Sequence, residues 1–195
     1  MLRISSILML TILSLNGALA VENPYYIGVK TGWVHGHNAC EPHRLKCEND
    51  EIGAGLFAGY TLNDWLSLEA GYDYLGKMKA IYPALGAANH TAAYEGRVQG
   101  ISMAIRPSLA LANNLRAFSK LGVMGWRADV DGQEYYFQHH AHDSGLSPLI
   151  GIGLEYSLSK QWMGQFEYQW INDVGGSSTG GSSINTLYVG VGYRW

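Results

Sequence analysis

The feature that most constrains this chain is a two-residue alternation of side-chain character that recurs along most of its length. Between Leu146 and Tyr156 the even positions are mostly apolar and the odd positions are mostly small or polar. The same alternation returns in Trp162 to Trp170 and in Leu187 to Trp195. Because successive side chains of a strand point to opposite faces, each segment predicts a β-strand with one apolar face.

The second face of these strands distinguishes a membrane protein from a soluble one. Glycine, at 25 of 195 residues, lies mainly opposite the apolar face, and aromatic residues cluster at strand ends. Lipid accepts an apolar outer face, and a narrow lumen accepts only small or paired polar side chains. The pattern therefore predicts a transmembrane barrel. A lipocalin-like soluble barrel is the alternative, but it would need an apolar lumen to hold its ligand.

The spacing of turn signals predicts the strand count. Three short turns lie at Asn63-Asp64, Asn113-Asn114 and Ser159-Lys160. Four longer polar segments alternate with them and read as loops, at His35 to Glu51, Gly76 to Gly96, Asp131 to Gly145 and Asn172 to Ser183. We therefore predict an all-β, eight-stranded antiparallel up-and-down β-barrel, with turns at one rim and loops at the other. Strands of about ten residues suit a tilted membrane crossing.

The N-terminal segment has the composition of a signal peptide. Arg3 precedes the apolar run from Ile7 to Leu15, and Ala18-Leu19-Ala20 places small residues at a cleavage site. The apolar run is shorter than the ~20 residues that a membrane helix needs. We therefore expect residues 1–20 to be a signal peptide and residues 21–195 to form the barrel.

Composition and motifs narrow the function classes. The net charge of −3 provides no basic surface, so we expect no nucleic-acid partner. The sequence has no nucleophile elbow, phosphate-binding loop or His-Glu-x-x-His motif, so we expect neither an enzyme nor a cofactor.

The two cysteines follow the predicted signal peptide in a polar segment. In an oxidising compartment we expect Cys40 and Cys47 to form a disulfide that closes a short loop. Half of a metal site, shared with His35, His37 or His43, is the alternative reading of the same segment.

All seven histidines fall in predicted loops. The spacings His35-x-His37 and His139-His140-x-His142 are the best candidates for binding Zn²⁺ or Cu²⁺. Solvated loop polarity explains the same residues without a ligand, and we expect no resident metal.

Charged residues recur on the face that the alternation turns inward. That face carries Lys30, Arg106, Lys120, Glu69, Glu155 and Glu167, three bases and three acids. Charges in a low-dielectric lumen persist only when they are paired. The sequence therefore predicts an interior ion-pair network, which either fills the lumen or also gates a path for ions.

Several ordered motifs resemble the N-terminal transmembrane domain of the OmpA family. They are Gly53 to Tyr60, Leu68 to Gly76, Lys120 to Asp129 and Glu167 to Trp170, and the resemblance spans Val21 to Trp195. It implies the outer membrane of Gram-negative bacteria, with extracellular loops and periplasmic termini. It also implies as partners outer-membrane lipid and lipopolysaccharide, the outer-membrane assembly machinery, and host-surface or phage ligands at the loops.

Family members usually continue into a periplasmic peptidoglycan-binding domain. This chain ends at Trp195, and a terminal aromatic is similar to the signal by which outer-membrane barrels are recognised for insertion. We therefore expect no peptidoglycan-binding domain.

The resemblance also implies a charged network that plugs or gates the lumen. Matched by motif, it falls on Glu69, Glu155, Arg106, Lys120 and Glu167. The family's second gating arginine is Gln165 here, which cannot neutralise Glu69. The expected function is a structural barrel with low or gated permeability to small solutes and ions, and the alternative is a surface adhesin or receptor that acts through its loops.

Overall fold

The computed structural model describes residues 24–37, 46–83, 91–133, 138–175 and 182–195. Within them the strands are β1 (Tyr25–His37), β2 (Lys46–Glu48), β3 (Asp50–Asn63), β4 (Leu66–Pro83), β5 (Thr91–Ala112), β6 (Leu115–Gln133), β7 (Gln138–Ser157), β8 (Trp162–Val174) and β9 (Ser182–Arg194). Across the described ranges, no helix has the length and apolar character needed to span a membrane.

Eight of the strands close into a barrel. Neighbours pair antiparallel in the order β4-β3-β1-β9-β8-β7-β6-β5, and pairing between β4 and β5 closes the ring. The three-residue strand β2 is not one of the barrel strands, because it pairs only with Lys79–Ile81 of β4 among the described residues. The predicted eight-stranded antiparallel up-and-down barrel is therefore confirmed.

The two faces of the strands lie on the sides that the alternation predicts. Leu154, Phe166 and Val189 are 44, 46 and 60% exposed on the outer face, whereas Glu69 and Glu155 are 7 and 3% exposed inside. Lipid can cover such an outer face, and the barrel contributes no unpaired strand edge in the membrane because it is closed.

Inward-facing glycines leave room for large side chains across the lumen. A Cβ atom on Gly59 would lie 2.0 Å from Cζ of the Tyr26 ring, closer than two carbon atoms can approach. The Tyr26 hydroxyl in turn donates a hydrogen bond of 2.9 Å to Glu69. The glycine therefore positions a ring that contacts the charged interior.

We expect Gly59→Ala to lower the free energy of unfolding by about 1–3 kcal/mol, because the added methyl group overpacks against the Tyr26 ring. The free energy of unfolding is measured by urea titration in lipid vesicles. The control is Ala58→Val, since Ala58 is exposed on the outer face and should change stability by less than ~0.5 kcal/mol. Equal effects of the two changes would contradict the close contact.

The strands are longer than about ten residues, which corrects the predicted loop boundaries. β5 has 22 residues and β7 has 20, whereas β1, β8 and β9 have 13 each. The segments 76–96 and 131–145, predicted as loops, contain paired ends of β4 to β7. The predicted loops 35–51 and 172–183 likewise contain strand residues at both ends. We call residues 77–83, 91–97, 127–133 and 138–145 the projecting sheet, because they continue β4 to β7 past the ends of β8 and β9.

Two β-bulges at the loop end re-aim side chains into the lumen. The β4–β5 register shifts between Tyr74 and Lys77, where Gly76 adopts φ of 86°. The β8–β9 register shifts between Ile171 and Val174, where Asp173 adopts φ of 55°. A bulge inserts one extra residue and so reverses which side of the barrel the following side chains face. Both bulges thus add apolar side chains to the upper lumen.

Candidate functional site

The middle of the lumen holds an ion-pair network of basic and acidic side chains. In the described part of the chain its members are Lys30, Arg106, Lys120, Arg194, Glu69, Asp73, Glu155 and Glu167. We call this set the lumen network. Its four formal positive charges balance its four negative charges, so the lumen network is neutral as a whole.

Glu69 links two parts of the lumen network. Its Oε1 atom lies 2.5 Å from Lys120 Nζ, and the same ammonium group lies 2.7 Å from Glu167 Oε2. On its other side, Glu69 Oε2 lies 3.5 Å from Arg106 Nε. Lys120 is thus shared by two carboxylates, and Glu69 is shared by two cations.

Glu155 forms the second half of this arrangement. Arg106 Nη2 donates a hydrogen bond of 2.9 Å to Glu155 Oε2, and Arg194 donates to Oε1 of the same carboxylate. The Arg106 guanidinium also stacks over the Phe118 ring, 3.8 Å from its centroid. Arg106 therefore contacts a strong partner, Glu155, and a more distant one, Glu69.

A separate pair lies nearer the loop end of the lumen. Lys30 Nζ lies 2.8 Å from Asp73 Oδ1, and both side chains are almost completely buried. The same ammonium group lies 4.5 Å from the centroid of the Tyr188 ring, close enough for a cation–π interaction.

The structure brings all seven lumen residues named from the sequence to the buried interior: Lys30, Glu69, Arg106, Lys120, Glu155, Gln165 and Glu167. Their role as a gate stays a prediction. Asp73 and Arg194 are two further members of the lumen network that were not predicted from the sequence. The two-residue alternation does place both side chains on the inward face. Asp73 lies an even number of positions from Glu69 on β4, and Arg194 lies an even number of positions from Gly190 and Gly192 on β9.

Several buried polar atoms of this interior have no hydrogen-bond partner among the residues that the structure describes. They include both amide atoms of Gln165, Oε1 of Glu167, Nε2 of Gln169 and the hydroxyl of Tyr188. Unpartnered donors and acceptors side by side are the environment that buried water satisfies. Gln165 therefore adds a neutral polar group beside the charged pairs and supplies no positive charge to them.

Apolar side chains fill the lumen on both sides of the lumen network. Toward the loops lies what we call the upper apolar layer, formed by Val34, Leu75, Met124, Trp126, Ala128, Leu149, Ile171, Val174 and Ile184. Toward the turns lies the lower apolar layer, formed by Tyr26, Phe57 and Met163. The charged groups are therefore enclosed between two water-poor regions.

A chain of hydrogen bonds fixes the upper apolar layer at the β8 bulge. Trp126 Nε1 donates to Ser147 Oγ at 2.7 Å, and Ser147 Oγ donates to the Asp173 carbonyl at 2.7 Å. The bond to Ser147 satisfies the buried indole N–H, which would otherwise be costly to enclose among apolar groups.

The candidate histidines lie at the loop rim, away from the lumen network. His35 Nδ1 lies 2.8 Å from Asp50, and His140 Nδ1 pairs with Asp131. Where side chains are described, no group of three or more potential ligands could hold a metal ion. The His139 side chain lies outside the described residues, and so does Cys40. The predicted Cys40–Cys47 disulfide therefore stays a prediction. The signal peptide also stays a prediction, because residues 1–20 lie outside the described residues.

The comparisons with known proteins agree with this architecture. The OmpA-like transmembrane domain family model matches residues 20–195. Outer membrane protein A of Yersinia pseudotuberculosis is 36% identical over 180 residues, which cover 89% of this chain and 49% of that protein. The corresponding protein of Serratia marcescens is 35% identical over 186 residues, again 89% of this chain and 50% of its own length. The chain thus spans about half the length of these curated relatives.

A solved structure shows the same fold at low sequence identity. Neisserial surface protein A has a TM-score of 0.57 at 12% identity, covering 88% of this chain and 97% of that one. On the family match and the closed barrel together, the chain belongs to the OmpA-like transmembrane domain family and lies in the outer membrane of Gram-negative bacteria.

Proposed function

We propose that this barrel has a structural role in the outer membrane and passes ions poorly, because two barriers lie in series along its lumen. The first barrier is the lumen network and the second is the upper apolar layer. The observation that carries the proposal is that the paired charges and, on their loop side, the upper apolar layer both fill the lumen.

The lumen network limits ion passage through its mutual pairing. An ion that enters must compete with charge-assisted contacts such as the 2.9 Å bond between Arg106 and Glu155. Arg106 also lies 3.5 Å from Glu69, so exchange between these two carboxylates is the smallest rearrangement that could loosen the centre of the lumen. During such an exchange Gln165 can only form hydrogen bonds to the carboxylates, because its amide group carries no charge.

The upper apolar layer limits ion passage through desolvation. An ion among Met124, Leu149 and Ile184 would lose water without gaining a polar partner, which costs several kcal/mol. Hydrophobic constrictions in channels exclude ions for the same reason. Because the two barriers lie in series, opening the lumen network alone leaves the path closed.

The test is single-channel recording in planar bilayers. We expect the wild-type barrel to conduct rarely and weakly, and Arg106→Gln alone to change this little. Combining Arg106→Gln with Met124→Gln and Leu149→Asn should raise conductance about tenfold, equivalent to lowering the barrier by ~1.4 kcal/mol. These changes keep side-chain size similar while making the upper apolar layer polar.

Circular dichroism and the gel mobility of the unheated protein verify that each variant is folded. The double variant Met124→Gln/Leu149→Asn, with Arg106 intact, is the matched control and should conduct like the wild type. Steady conductance of the wild type would contradict low permeability. Full opening by Arg106→Gln alone would assign the entire barrier to the lumen network.

Surface recognition is the second candidate function, and the projecting sheet favours it. β4 to β7 continue past the ends of β8 and β9, so their paired ends extend from the loop rim. A rigid platform of this kind presents side chains and backbone to external partners better than isolated loops. Recognition would not depend on the lumen network. Outer-membrane lipid, lipopolysaccharide and the assembly machinery remain expected partners of the barrel wall.

A further inference from the structure

The turn end of the lumen carries an arginine that is not part of the lumen network. Arg116 lies on the inward side of β6, an even number of positions from the buried Phe118 and Lys120. Its Nη2 atom donates a hydrogen bond of 2.8 Å to Ser108 Oγ and a second one to the backbone carbonyl of Asp64. Neither acceptor carries a charge, and Arg116 forms no salt bridge within the described ranges. Its guanidinium group therefore has no direct counterion there.

A second arginine, Arg194, faces the same end of the lumen. From β9 its guanidinium group reaches across β8 to β7, where it donates to Glu155 and, at 3.3 Å, to Ser157 Oγ. Its side chain is 20% exposed, so part of the group is open to solvent. Arg116 lies directly opposite Glu155 in the β6–β7 ladder. The two arginines thus approach one carboxylate from opposite sides of β7.

Positive charge exceeds negative charge at this end. Arg106 donates to Glu155 at 2.9 Å, so this carboxylate already has two arginine partners before Arg116 is considered. Adding Arg116 to the balanced lumen network leaves one positive charge in excess. The neighbouring short turns contribute Asp64 and Lys160, one side-chain charge of each sign, and do not alter the excess. Because a partly buried charge is costly without a partner, a further anion would stabilise this end.

Unused hydrogen-bond donors accompany the excess charge. A guanidinium group has five N–H donors in a planar fork, and the bonds of Arg116 within the described ranges use only Nη2. The bonds of Arg194 use Nη1 and Nη2 and leave Nε. Ser108 and Ser157 accept from these arginines, and each hydroxyl keeps its own proton to donate. We call Arg116, Arg194, Ser108 and Ser157 the turn-end site. Arginine forks of this kind bind phosphate and carboxylate groups.

The position of the turn-end site favours a small free anion over a lipid headgroup. Its side chains point to the inside of the barrel wall, whereas the wall that lipid covers is formed by outward residues such as Leu109, which is 67% exposed. Farther along the lumen, an anion would meet the carboxylates of Glu155 and Glu69, which repel it. An anion that enters from the turn end would therefore stay at the turn-end site.

We propose that the turn-end site binds one small oxyanion of the phosphate class. Arg116 supplies the uncompensated charge and its free donors, the exposed part of Arg194 adds a second cation, and the two serine hydroxyls donate to the remaining oxygen atoms. The inference goes beyond the structural role of the barrel and does not depend on whether the lumen conducts.

The test is an NMR titration of the refolded barrel with inorganic phosphate, in nanodiscs of phosphatidylcholine. We expect saturable shifts of the side-chain Nε–H signals of Arg116 and Arg194. Sodium chloride at the same ionic strength should not produce them. Shifts that fail to saturate, or equal shifts with chloride, would mean charge screening only and would overturn the proposal. Loss of phosphate binding when phosphatidylglycerol is added to the nanodiscs would assign the donors to a lipid headgroup and would also overturn it.

The variant Arg116→Gln should weaken phosphate binding about tenfold, because it removes a charged donor group. Arg127→Gln is the matched control, since Arg127 lies at the loop rim, is 61% exposed and pairs with Asp129. It should leave the affinity unchanged. Should Arg116→Gln fail to fold, Ser108→Ala/Ser157→Ala keeps both arginines and should weaken binding about threefold. Wild-type affinity in a folded Arg116→Gln or in the double serine variant would contradict the turn-end site.

Discussion

Lys120→Met is expected to lower the free energy of unfolding by about 3–5 kcal/mol, the cost of removing one partner from a buried ion pair. Lys120 lies 2.5 Å from Glu69 and 2.7 Å from Glu167, and it is nearly inaccessible to solvent. Methionine keeps most of the side-chain volume but leaves two carboxylates with reduced compensation. Urea titration in lipid vesicles, followed by tryptophan fluorescence, measures the loss.

The matched control for this change is Lys79→Met at the loop rim. Lys79 lies 3.6 Å from Glu95, and its side chain is 52% exposed. Exposed ion pairs contribute only about 0–1 kcal/mol, so we expect a small effect. A loss below ~1 kcal/mol for Lys120→Met would show that the lumen supplies enough water to replace the missing cation.

The barrel was predictable because its strongest signal is local. Alternation along a single strand decides which side chains face lipid, and a shift by one residue would invert every one of them. Outer residues such as Phe166 and inner residues such as Glu69 could therefore be assigned without any knowledge of their neighbours. Turn signals then provided the order of the strands.

The strand ends were harder to predict because alternation fades outside the membrane. Beyond Tyr74 in β4, the outer face carries Lys77 and Lys79, which pair with Glu95, so the apolar outer side of the alternation is lost. The bulge at Gly76 also reverses the parity, and Met78 therefore packs against the upper apolar layer. Simple alternation from Asp73 would have placed Met78 on the outside.

The partners within the lumen network could not be read from parity alone. Lys120 and Glu167 are 47 residues apart, and their contact depends on the stagger of the strands around the barrel. Parity identifies which charges face inward but not the distances between them. The sequence therefore predicted the main members of the lumen network without predicting that Arg194 would bind Glu155.

The pair formed by Lys30 and Asp73 allows the strength of one lumen contact to be measured separately. We expect Lys30→Met to lower the free energy of unfolding by about 3–5 kcal/mol, because it leaves the fully buried Asp73 carboxylate without its cation. Asp73→Asn should cost less, since Lys30 keeps the Tyr188 ring 4.5 Å from its ammonium group.

The double variant Lys30→Met/Asp73→Asn should be more stable than Lys30→Met alone, because neither remaining side chain carries an uncompensated charge. The measurement is a double-mutant cycle of urea titrations, which isolates the coupling between the two side chains. Additive losses would mean that each group has other partners and that the 2.8 Å contact contributes little. Strong coupling would instead mean that the contact between Lys30 and Asp73 stabilises the upper lumen independently of the pairs formed by Glu69 and Glu155.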